Sequence, residues 1–70
     1  MTAAQKIRMV LAARRMSEAE LARSIGTTPS AFNQRMKTDK FSSEDLERIA
    51  AALNCTYRAE FVLNDTGECI

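Results

Sequence analysis

The sequence predicts a mainly α single domain, four helices followed by a C-terminal β-strand or a short β-hairpin. Three observations predict it. Apolar residues recur at the spacing of a buried helical face in four stretches between residues 3 and 53. Residues that start or stop helices separate those stretches, notably Ser17, Gly26, Thr28, Pro29 and the pair Ser42 and Ser43. From Tyr57 onward the period falls to two, the spacing of a strand.

The first helix is expected over residues 3–15, with Ile7, Val10, Leu11 and Arg14 on one face; three of these four are apolar, so the helix packs on a core. Ser17 reads as the cap of a second helix over 18–25, whose first turn holds Glu18 and Glu20, where the helix dipole favours negative charge. Leu21, Ala22 and Ile25 form its buried stripe. Gly26 follows at the position where a left-handed cap is easiest for a residue without a Cβ. Thr28 caps a third helix over 29–37, and Pro29 suits its first turn because the missing N–H has no helical partner there anyway. Phe32 and Met36 on this helix face the core. Ser30, Asn33, Gln34 and Lys37 make a wholly polar stripe on the other side.

After a polar loop, Thr38–Lys40, the ring of Phe41 is expected to plug the core. Ser42 or Ser43 caps a fourth helix over 43–53, with Glu44 and Asp45 in its first turn and Leu46, Ile49, Ala50 and Leu53 as its apolar face. Tyr57, Ala59, Phe61 and Leu63 then alternate with Arg58, Glu60, Val62 and Asn64, which favours a strand over 57–63; a fifth helix from Tyr57 is the alternative. Asn64, Asp65, Thr66 and Gly67 signal a turn, after which residues 68–70 return as a short second strand.

Composition narrows the function. Seventy residues, 46% hydrophobic and 27% charged, suit one small folded core and not a disordered tail. No stretch approaches the roughly 20 apolar residues of a membrane span, and the N-terminus lacks the apolar core of a signal peptide, so the cytoplasm is the expected compartment. Two cysteines, Cys55 and Cys69, with no histidine, give neither a disulfide scaffold nor a conventional zinc site. Without histidine, a nucleophile constellation or a Gly-rich phosphate loop, no enzyme activity, cofactor or small-molecule ligand is expected.

The net charge of +1 hides an asymmetry, because residues 1–40 carry a net +5 and residues 41–70 a net −4. A basic half suits a polyanion, while the acidic half suits a different neighbour.

The chain resembles the phage-repressor and Cro-like (lambda-repressor-like, XRE-type) helix-turn-helix family of transcriptional regulators. The likeness is carried by Ile7, Arg8 and Arg14, by the run from Met16 to Phe32, and by the run from Leu46 to Leu53. Within the motif, Ala22, Gly26 and Phe32 stand in order at its small, glycine and apolar positions. Each also has a physical use: Ala22 allows close helix approach, Gly26 turns the chain, and Phe32 locks the third helix on the second. The resemblance implies double-stranded DNA as the partner and a homodimer reading two half-sites.

Two positions depart from the family. Glu18 stands where a phosphate-supporting glutamine is usual, and Arg15 stands where the first interhelical turn often has glycine; Arg15 is read as a compensating phosphate contact.

On that reading the third helix enters the major groove, which admits an α-helix and exposes base edges to paired donors and acceptors. Ser30, Asn33 and Gln34 are the candidates for base readout. Thr28 and Pro29 at the helix start, with Arg35, Lys37, Lys40 and Arg15, are the candidates for phosphate contacts. The apolar side of the tail strand, Tyr57, Ala59, Phe61 and Leu63, is the candidate dimer interface, unless it folds back on its own domain. The competing class is a protein-interaction module, antitoxin-like or an inhibitor subunit, that keeps the fold and has lost strong DNA binding. Glu18, Glu20 and the low net charge speak for it.

Overall fold

In the computed structural model, which describes residues 1–70, the helices are α1 (Ala3–Arg14), α2 (Glu18–Ser24), α3 (Pro29–Thr38) and α4 (Ser43–Ala52). Each begins on a hydroxyl that accepts a backbone N–H three residues on: Thr2 from Gln5, Ser17 from Glu20, Thr28 from Ala31 and Ser42 from Asp45. In α1, α2 and α4 the side chain at that third position accepts the N–H of the cap in return. Two donors that the first helical turn leaves without partners are thereby satisfied at each start.

Three of the helices also end alike. Arg15 (φ 53°), Gly26 (φ 80°) and Asn54 (φ 55°) adopt left-handed backbone. The next residue then donates back into the last turn: Met16 N–H to Leu11 C=O, Thr27 to Ala22 and Cys55 to Ala50. This closure stops α1, α2 and α4 one residue short of the spans that periodicity predicts. A Cβ on Gly26 would meet nothing, so the positive φ alone calls for glycine there.

All four helices contribute to one core. Ala4, Ile7 and Leu11 come from α1, Leu21 and Ala22 from α2, Phe32 and Met36 from α3, and Ile49 from α4 with Leu53 just beyond it. Leu21 and Phe32 are the largest side chains wholly enclosed, and α2 packs against both α3 and α4. Phe41 is partly buried, with its ring 6.1 Å from that of Phe32 and tilted by 54°, a geometry that aromatic quadrupoles favour.

Two long-range polar contacts tie helix ends to distant segments. Asp39 Oδ1 accepts the Ala4 N–H at 2.8 Å, satisfying an open donor of α1. Arg14, placed by its spacing on the core face, sends its guanidinium to the end of α4 and donates to the carbonyls of Leu53 (2.9 Å) and Asn54 (3.1 Å).

The tail corrects an expectation. Neither the strand over 57–63, the hairpin with 68–70, nor a fifth helix is formed; pairing is confined to one isolated antiparallel bridge between Val62 and Cys69. A ladder requires consecutive partners. Residues 68–70 lie beside 61–63, so residues 57–60 have no neighbour to take their N–H and C=O groups. No residue from 56 to 70 is buried, so the core does not hold the segment in a sheet either. No helix is long and apolar enough to cross a membrane.

Candidate nucleic-acid interface

The polar stripe of α3 is displayed because the opposite side of the helix is anchored. Phe32 is 1% exposed and Met36 3%, while Ser30, Asn33, Gln34 and Lys37 are all exposed. Asn33 and Gln34 make no side-chain hydrogen bond within the chain, so both amides keep their full donor and acceptor capacity. A helix with its side chains is about 10–12 Å across, which matches the roughly 12 Å width of the major groove.

The start of α3 leaves backbone donors without partners in the chain. The Thr28 hydroxyl accepts the Ala31 N–H at 3.1 Å. Pro29 has no N–H to offer, and the N–H groups of Thr28 and Ser30 make no hydrogen bond within the chain. Free N–H groups and the positive end of the helix dipole favour a phosphate.

Among the other residues assigned to phosphates, Lys37 and Lys40 are exposed at and beyond the end of α3, and Arg15 is exposed between α1 and α2. Arg35 is turned toward α4, where one Nη pairs with Asp45 Oδ2 at 2.8 Å and the guanidinium lies over the Phe41 ring at 6.0 Å. That contact docks the far end of α3 on α4 and leaves Arg35 with further donors, its side chain being 42% exposed.

The Ser42 N–H that donates to Asp45 holds this carboxyl below its ordinary pKa; partial burial opposes the shift, and the Ser42 side chain, Arg35 and Arg48 reinforce it. Asp45 is therefore a fixed anion that caps α4 and anchors Arg35.

Glu18 turns Oε1 into the protein, where it is enclosed without a hydrogen-bond partner. Half of its carboxylate is thereby withdrawn from the surface. Tyr57, Ala59, Phe61 and Leu63 are exposed on the tail that follows α4. The residues that sequence reasoning missed are Asp39 and Arg14 in their capping roles, since each partner is 35 or more positions away.

Two short helices, α2 and α3, joined by a glycine turn, with a polar helix face held outward by buried Phe32 and Met36, define a helix-turn-helix domain. Residues 6–58 match the Cro/C1-type HTH DNA-binding domain. The chain belongs to that family, and its class of partner is DNA. No curated protein and no solved structure matches the chain.

Proposed function

We propose that the protein is a small transcriptional regulator that binds double-stranded DNA sequence-specifically, with α3 in the major groove. Ser30, Asn33 and Gln34 read base edges, the two amides by paired donor and acceptor contacts of the kind that suit adenine. The Thr28–Pro29 helix start, Lys37, Lys40, Arg15 and the free donors of Arg35 hold phosphates and set affinity and register. Two copies act together on half-sites about one helical turn apart, joined through the tail residues Tyr57, Ala59, Phe61 and Leu63. The observation that carries this reading is the α3 face itself, unoccupied amides opposite a side that the core clamps.

The experiment is selection of bound duplexes from a random pool at two salt concentrations. Enrichment of a two-fold symmetric motif, with binding that weakens steeply as salt rises, is the expected result. Absence of both enrichment and salt-sensitive binding overturns it in favour of a protein-interaction module.

Arg15 offers a separate check on the phosphate set. A left-handed residue with a Cβ costs about 1–2 kcal/mol, so Arg15→Gly is expected to stabilise the fold by up to about 1 kcal/mol in urea unfolding. The same change is expected to make the dependence of log affinity on log salt shallower by about one unit. An unchanged slope would remove Arg15 from the phosphate contacts.

A further inference from the structure

The turn that joins α2 to α3 meets α4 around a polar cavity. The cavity holds about 150 Å³ and is lined by Ile25, Gly26 and Thr27 of the turn, by Arg35 of α3, and by Asp45 and Arg48 of α4. A single water needs roughly 10–15 Å³, so the space admits a polyatomic guest. Ile25 is the one large apolar side chain in the lining, and two of the six residues carry guanidinium groups, so that guest is polar. At about 100° per residue, Arg35 stands roughly 150° round α3 from the middle of the stripe formed by Ser30, Asn33, Gln34 and Lys37. The cavity and the base-reading face therefore lie on different sides of the helix.

The charges around this space do not cancel. Asp45 is the only acid in the lining, and its Oδ2 already accepts the Ser42 N–H at 3.0 Å and pairs with Arg35 at 2.8 Å. Arg48 joins neither ion pair of the chain, and neither its guanidinium nor the Thr27 hydroxyl is hydrogen-bonded within it. Arg35 keeps donors beyond the Nη that binds Asp45. One carboxylate against two guanidiniums leaves positive charge in excess. We propose that the cavity binds the phosphate group of a small free molecule, its oxygens held by Arg35, Arg48 and the Thr27 hydroxyl. Guanidinium forks match phosphate oxygens in pairs, which a rounded halide ion does not reward. The site goes beyond the DNA reading: Thr27 and Arg48 belong to none of the contacts proposed above, and Arg35 is the one shared member. A phosphate bound there ties the turn to both helices and braces the docking of α3 on α4.

The test is titration of the protein with inorganic phosphate, against sodium chloride at matched ionic strength, followed by heteronuclear NMR. The amide signals of Gly26 and Thr27 and the Nε–H signals of Arg35 and Arg48 are expected to move together. They should saturate with a dissociation constant of about 1 mM, the affinity of about three charge-assisted hydrogen bonds. R48A is expected to weaken binding about tenfold and T27V about fivefold. Neither side chain has a polar partner in the chain, so both variants should fold, which far-UV circular dichroism checks. Saturating phosphate is expected to raise the unfolding temperature by several degrees over chloride, and R48A to lose that rise.

Signals that move without saturating overturn the inference, and so do movements that centre on the Thr28 and Ser30 amides and survive R48A. A DNA backbone phosphate is the other source of the same chemistry, and the salt dependence of binding to a mixed-sequence duplex separates the two. R48A is expected to leave that slope unchanged. A slope shallower by about one unit assigns the cavity to the DNA backbone and overturns the free-ligand site. The phosphate titration needs no DNA, so failure of the DNA reading and failure of this site appear in different measurements.

Discussion

Truncating Phe32 to alanine is expected to remove most of the domain's stability. The ring is 1% exposed, sits among the side chains that join α2, α3 and α4, and is backed by Phe41 at 6.1 Å. Removing a buried phenyl group costs about 3–5 kcal/mol, the lost transfer energy together with the cavity that remains. A domain of this length has a total stability of roughly 4–10 kcal/mol. In urea unfolding followed by circular dichroism the midpoint should fall toward zero, whereas Phe32→Leu, which keeps most of the volume apolar, should cost much less. A loss under about 1 kcal/mol for the alanine variant would mean that the core collapses into the space and that Phe32 does not lock α3 in place. DNA binding should fall along with the folded fraction, since the exposed face of α3 is oriented only by what its other face buries.

Asn33→Ala and Gln34→Ala are expected to give the largest functional losses that leave the fold intact. Each removes an amide that can make two hydrogen bonds to one base edge, worth about 1–3 kcal/mol of discrimination, or roughly 5- to 150-fold in affinity for the preferred site. Both side chains are exposed and bond to nothing in the chain, so stability should change by no more than about 0.5 kcal/mol. The distinguishing measurement is binding to a set of duplexes that each differ at one base pair. A base-reading residue loses its preference at one position, while Lys37→Ala, which serves as the phosphate comparison, should weaken all duplexes alike and flatten the salt dependence. Equal losses on every duplex for Gln34→Ala would reassign it to the backbone. The two amides are neighbours, so the double variant need not lose the sum of the single effects.

Much of the fold was legible because its signals are local. Ser17, Thr28 and Ser42 each bind a backbone group three residues away, and Gly26 turns the chain within its own dihedral angles. Such interactions lie inside a window that sequence pattern can scan. The polar stripe of α3 was legible for the same reason, since helical spacing alone sets Ser30, Asn33, Gln34 and Lys37 opposite Phe32 and Met36. Glu18 was legible only in part. Its place at the start of α2 follows from Ser17, but the enclosure of Oε1 does not.

The rest depended on where distant elements meet. Arg14 closes the end of α4 across 39 positions, Asp39 caps α1 across 35, and Arg35 finds Asp45 on the neighbouring helix. Arg35 shows the difficulty, because its charge and position suggest a phosphate contact while its first partner is a carboxylate that only the packing of α3 on α4 brings near.

The tail shows the same limit from the other side. Alternation from Tyr57 to Asn64 describes a chain able to be a strand, yet within residues 1–70 only Val62 and Cys69 form a bridge. A helix satisfies most of its backbone within its own segment, so the sequence by itself determined the four helices, the hydroxyl caps that start α2, α3 and α4, and the polar face of α3. A strand, an ion pair and the far end of a long arginine each need a partner from elsewhere, and those the tertiary structure alone decided.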